Sequence, residues 1–111
     1  MNNVWSIEHW FNTKEINSWF DSLGQEQFKS VMKELKLLEA AGNELRLPHS
    51  RALGQKLFEL REKRFGLRIY YTFQEGRIII LLTAGDKSTQ NKDIKVARER
   101  LDMLLKYGVK R

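Results

Sequence analysis

Three basic side chains, Arg61, Arg68 and Lys87, fall near the ends of successive apolar segments, where a sheet can gather them. A guanidinium offers a two-pronged fork to phosphate oxygens and keeps its charge at any physiological pH. A lysine adds a compact point charge. Such a cluster suits stabilisation of phosphate charge; proton transfer by Lys87 is the weaker reading, because an ammonium ordinarily titrates far above neutrality. The competing reading pairs Arg61 and Arg68 with Glu59 and Glu62 as surface ion pairs, which contribute little. The remaining repertoire is thin. With no cysteine in the chain, disulfides and thiolate–metal sites are excluded. Of the two histidines, His9 sits among aromatics and reads as a packed structural residue. His49 lies beside Arg51 in a connector and reads as a solvated loop residue within reach of a phosphate.

The elements that must position these cations are legible. Over residues 57–61, Phe58 and Leu60 alternate with Glu59 and Arg61. Over 67–73, Leu67, Ile69, Tyr71 and Phe73 share one face, with Arg68 and Tyr70 on the other. Period-two alternation marks a half-buried strand. Residues 77–83 differ, since Ile78 to Leu82 are apolar on both faces, as a covered central strand requires. Gly66 supplies a positive φ for the first turn and Gly76 ends the second, giving an antiparallel meander. Upstream, residues 4–8 and the following His9-Trp10-Phe11 suggest a first strand. Asn12 caps a helix whose face is Ile16, Trp19, Phe20 and Leu23, with Gly24 closing it as a C′ residue. Phe28, Val31, Met32, Leu35 and Leu38 form the stripe of a second helix over 25–41, stopped by Gly42. Residues 43–55 read as an irregular connector. Ser88 or Thr89 caps a last helix over 90–105, faced by Ile94, Ala97, Leu101, Leu104 and Leu105. The expected class is α+β, in the order β-αα-βββ-α: a first strand and an αα-hairpin packed on a meander, then a C-terminal helix.

The chain has 111 residues, with 20 Lys and Arg against 14 Asp and Glu. That length predicts a single domain over 1–111. No segment resembles a signal peptide or approaches the roughly 20 apolar residues that span a bilayer, so a cytoplasmic protein is expected. The basic excess lies on the meander and its turns, where Lys56, Arg61, Lys63, Arg64, Arg68, Arg77, Lys87 and Lys92 outnumber the acids. Placement of this kind favours a polyanionic partner over mere solubility.

The residues from 57 onward also carry a family resemblance. Glu59-Leu60-Arg61, then Gly66-Leu67-Arg68-Ile69-Tyr70-Tyr71, then Leu81-Leu82-Thr83-Ala84-Gly85-Asp86-Lys87-Ser88-Thr89-Gln90 resemble the HigB-like, phage-derived branch of the RelE/ParE toxin superfamily. The resemblance implies a RelE/ParE-like fold and a toxin of a type II toxin–antitoxin pair. It further implies a ribosome-dependent mRNA interferase that cuts the message in the A site, with a helix-turn-helix, HigA-like antitoxin as partner. Operator DNA would be met only through the antitoxin. By the same resemblance Arg68 contacts the scissile phosphate, and Arg61 and Lys87 are the further catalytic cations. Neither a metal nor a cofactor is implied. Lys63, Arg64 and Lys92, with the tail cations Lys110 and Arg111, are candidate contacts to ribosomal RNA backbone. Tyr70, which could stack a base or orient a phosphate, and Gln90, which flanks Lys87, are further candidate RNA or ribosome contacts, and Tyr71 is a core residue. ParE members inhibit DNA gyrase without cutting nucleic acid, so a ParE-like gyrase inhibitor is the alternative function, and a degenerate toxin kept as a corepressor is a third.

Overall fold

The computed structural model describes residues 5–10 and 13–108; Asn12, Phe11 and the tail cations Lys110 and Arg111 lie outside them. A first strand β1 (Ser6–His9) leads into helix α1 (Thr13–Asp21) and helix α2 (Gln25–Ala41). Four strands follow: β2 (Ser50–Gly54), β3 (Leu57–Glu62), β4 (Leu67–Gln74) and β5 (Ile78–Asp86). A short 3-10 turn (Lys87–Thr89) opens the last helix, α3 (Gln90–Tyr107). The strands form one sheet in the order β1-β5-β4-β3-β2, parallel between β1 and β5 and antiparallel elsewhere. This is the expected α+β architecture with one addition: part of the connector over 43–55 is strand β2, paired to β3.

β5 is apolar on both faces because both are covered. Ile79 and Leu81 pack with Val31, Leu35 and Leu38 of α2, and Ile80 and Leu82 with Ala97, Leu101 and Leu104 of α3. Burying each such side chain contributes about 1.5–3 kcal/mol, so this strand anchors both layers. Leu67, Ile69 and Tyr71 join the α2 layer, as their alternation predicts. The other face of β4 is not solvated as its polar residues suggest: Arg68 and Tyr70 are buried, since α3 lies along that face.

Two local expectations are revised. Gly24 has φ −67° and begins α2 instead of closing α1; the Gln27 side chain accepts a hydrogen bond from its N–H at 2.9 Å. At the other end, Asp86 is the capping residue of the turn before α3, accepting from the Ser88 N–H at 2.8 Å, while Thr89 makes no side-chain cap bond. Gly66 does adopt the positive φ expected of it, 74°.

A polar clamp ties the layers together. Arg100 of α3 binds the Glu15 carboxylate of α1 through both terminal nitrogens and donates to the Leu82 carbonyl at 2.8 Å. The Arg100 hydrogen bond holds the Glu15 carboxyl below its ordinary range. Among the described residues no helix is long and apolar enough to cross a membrane.

Candidate functional site

Arg61 and Arg68 stand directly opposite each other on β3 and β4. Like charges in that register repel. The compensating charge is Glu59, two residues before Arg61 on the same face. Its Oε1 lies 3.8 Å from Arg61 Nε and its Oε2 4.0 Å from Arg68 Nε. Oε2 also accepts a 2.7 Å hydrogen bond from Gln90 Nε2, at the first residue of α3. Glu59 is completely buried, and its Oε1 has no hydrogen-bond partner among the described residues. The Glu59 pairing is therefore an interior cluster, where the sequence suggested a surface one. Arg61 keeps 27% of its side chain exposed, Arg68 only 6%.

Glu62 takes no part in that cluster. Strand alternation turns it to the α2 face, where it accepts from the N–H groups of Arg64 and Phe65, both at 3.0 Å, and from the Ser30 hydroxyl at 2.6 Å. A buried carboxylate thus shapes the β3–β4 turn that carries exposed Lys63 and Arg64.

Lys87 reaches the same end of the sheet by backbone placement. Gly85 pairs with Arg68, and the Lys87 N–H, two residues on, donates to the Gly66 carbonyl at 2.8 Å. Its side chain is exposed, as is that of Lys92 on α3. The fold accordingly brings Arg61, Arg68, Lys87, Lys63 and Arg64 to one end of the sheet. Gln90 is there too, with its amide committed to Glu59. Tyr70 does not fit a base-stacking role: its ring is wholly buried with Leu57, Ile80 and Leu82 under α3. Burial, with the Glu59 charge next in effect, pushes its phenol well above the ordinary range. Tyr71 is core as expected, stacked on Phe58 with its hydroxyl bonded to Ser50.

The joint between β5 and α3 holds a further buried acid, Asp93, which accepts from the Thr89 hydroxyl at 2.5 Å. Burial raises its carboxyl pKa. The unfolded chain then releases this proton at lower pH than the folded one, so stability falls as pH rises from the ordinary carboxylate value through the raised one. Asp93→Asn is expected to remove that contribution, so that the urea midpoint at pH 7 minus that at pH 4 is more positive than in the parent protein.

On the α2 face of the sheet, opposite Glu59, a cleft of about 440 Å³ opens between α2 and the β3–β4 turn, where Lys29, Lys33, Lys63 and Arg64 share the lining with Glu26, Glu34, Glu62 and His49. His49 is not a free loop residue. Its Nδ1 lies 2.9 Å from Glu34 Oε1 of α2. Fifteen residues of sequence separate the two, so no local pattern announces the pair. His9 is half-buried, as its aromatic setting suggests, and burial lowers its pKa.

The profile of the phage-derived Gp49-like protein family matches residues 18–102, which include every residue of this cluster and cleft. The chain belongs to the Gp49-like family. An uncharacterized protein of Haemophilus influenzae is 47% identical to the Gp49-like chain over 49 residues, 43% of this chain and 50% of that protein. The match thus spans half the length of that curated relative. Among solved structures, a free-state mutant of E. coli toxin RelE superposes with a TM-score of 0.66 at 11% identity, covering 87% of the Gp49-like chain and 97% of RelE. A RelE–RelB complex from Pyrococcus horikoshii gives 0.55 at 12% identity, covering 76% and 96%. The fold of this Gp49-like protein is therefore RelE-like.

Proposed function

We propose that this protein is the toxin of a type II toxin–antitoxin pair, of the HigB-like branch, and that it cuts mRNA in the ribosomal A site. The observation that carries the reading is the cross-strand pair Arg61 and Arg68 held by one buried carboxylate, with Lys87 beside it. Cleavage of RNA without a metal passes through a phosphorane-like state with extra negative charge, and fixed cations stabilise it without reorganising. The contact of Arg61 to Glu59 uses its Nε, and Arg61 keeps 27% of its side chain exposed, which leaves its terminal nitrogens for a phosphate. Arg61 and Lys87 meet the scissile phosphate at the surface, while Arg68 adds its charge from the low-dielectric layer beneath. Exposed Lys63, Arg64 and Lys92 supply ribosomal RNA backbone contacts, where charge matters more than identity. The Gp49-like family and the RelE-like fold support the toxin reading. The RelE–RelB complex of the archaeal relative supports an antitoxin partner, for which a helix-turn-helix, HigA-like protein is our proposal.

Primer extension on a defined mRNA tests this. The message is used alone and on ribosomes with a filled P site and an empty A site. A cut at the A-site codon is expected only with ribosomes, about 100-fold slower with Arg68→Ala or Lys87→Ala. Growth arrest by the wild-type protein without any cut would overturn the reading in favour of a ParE-like block of gyrase, measurable as lost supercoiling.

A further inference from the structure

Helix α2 carries an apolar face that the core covers only in part. Its inner stripe, Val31, Leu35 and Leu38, is buried on the sheet. Toward α1, Phe28 stays 43% exposed and Met32 half-buried, although contiguous apolar surface of this kind ordinarily marks a contact site. With Phe20 of α1 they wall a groove of about 430 Å³, floored by Ile7 of β1 and Leu81 of β5. The Phe20 and Phe28 rings meet edge to face, centroids 6.3 Å apart. Charge around this groove is one-sided. Lys29, Lys33 and Lys36 recur at i, i+4 and i+7, which sets them in one row on α2. A second concavity, on the outer side of α2, is lined by that row together with Phe28 and Met32. Glu26 lies 4.0 Å from Lys29, both largely exposed, while Lys33 and Lys36 make no ion pair among the described residues. The α1 wall adds uncharged Asn17, and the floor adds His9, kept neutral by burial. Glu39, toward the C-terminal end of α2, is the acid on the lining.

We propose that this groove docks an acidic amphipathic helix carried by a partner protein. Apolar anchors at i, i+4 and i+7 of that helix fill the space between Phe20, Phe28 and Met32, and carboxylates along its flank meet the lysine row. From Phe28 to Glu39, α2 rises about 16 Å, or roughly three turns, enough to seat such a helix. A small ligand suits the groove less well. Asn17 and His9 are the only uncharged polar residues on its described lining, too few to orient one. A second copy of this chain suits it less well too. Packing α2 antiparallel on itself sets lysine row against lysine row, in a protein whose net charge is already +6. That the partner is the antitoxin rests on the toxin reading above; the docking chemistry does not depend on RNA cleavage.

Fluorescence anisotropy with three labelled peptides of about five helical turns tests this. One carries leucines at i, i+3, i+4 and i+7 with glutamates on both flanks. In the second, lysines replace the glutamates; in the third, serines replace the leucines. The leucine–glutamate peptide is expected to bind at least about 10-fold more tightly than either control. Phe28→Asp is expected to weaken that binding about 10-fold. Lys33→Glu with Lys36→Glu should weaken it as much and strengthen binding of the lysine peptide. Lys95→Glu with Lys106→Glu makes an equal change of net charge at exposed positions of α3 and should leave binding unchanged. Unchanged urea midpoints verify that each variant folds. Equal binding of the serine peptide, or an equal loss in the Lys95 and Lys106 variant, would overturn the proposal and reduce the effect to attraction by net charge. A concentration-dependent dimer that sedimentation detects and Phe28→Asp abolishes would overturn it in favour of a second copy. Because the assay contains no RNA, its failure and a failure of the toxin reading are separate results.

Discussion

Glu59→Ala is expected to cost about 3–5 kcal/mol of folding stability, because it leaves two guanidiniums facing each other with their common counter-charge gone. Arg68 keeps only 6% of its side chain exposed, and Arg61 stands directly across from it. Gln90 loses its acceptor as well. Urea unfolding at pH 7 measures the loss. A second variant isolates the cause: Glu59→Met combined with Arg68→Met removes charge and counter-charge together, and more than half of the lost stability should return. A loss below about 1 kcal/mol in the single variant would mean that the cluster is solvated and the electrostatic account wrong.

Gly85→Ala is expected to destabilise by about 1–3 kcal/mol through overpacking. A Cβ at this position would stand 1.9 Å from Asp93 Oδ2 and 2.6 Å from Thr89 Oγ1. Those two atoms are bonded to each other, and Asp93 is buried, so neither can swing away cheaply. The displacement falls on the turn that carries Lys87, and ribosomal cleavage should weaken with it. Adding Asp93→Ala to Gly85→Ala restores room for the methyl group and should recover part of the urea midpoint. If the double variant is no more stable than Gly85→Ala, the close approach is not what excludes a side chain here.

The meander was legible because Leu67, Ile69, Tyr71 and Phe73 alternate without a break and Ile78 to Leu82 are apolar throughout. β2 was not, because an edge strand need bury little: Arg51, Ala52 and Gly54 are exposed, so Ser50–Gly54 carries no hydrophobic period. The parallel pairing of β1 with β5 is likewise a long-range fact that no window of sequence contains. At the site, the cations could be named from their strand positions, but not the depth at which they lie. Alternation assigns Glu59, Arg68 and Tyr70 to the face opposite Leu60 and Ile69; only the docking of α3 decides that this face is covered. The His49 and Glu34 pair was missed for a related reason, since it joins a helix to the approach of an edge strand.

The parallel partnership of β1 has a consequence for the order of events during synthesis. β1 leaves the ribosome first, yet its partner β5 follows nearly the whole of α1, α2 and the other three strands. Antiparallel neighbours joined by short turns find each other early, whereas a contact between distant segments must wait for the chain between them. The nascent protein therefore carries an unpaired first strand, and β5 an open edge, until most of the sheet is built. Among the described residues this parallel ladder joins the strands farthest apart in sequence.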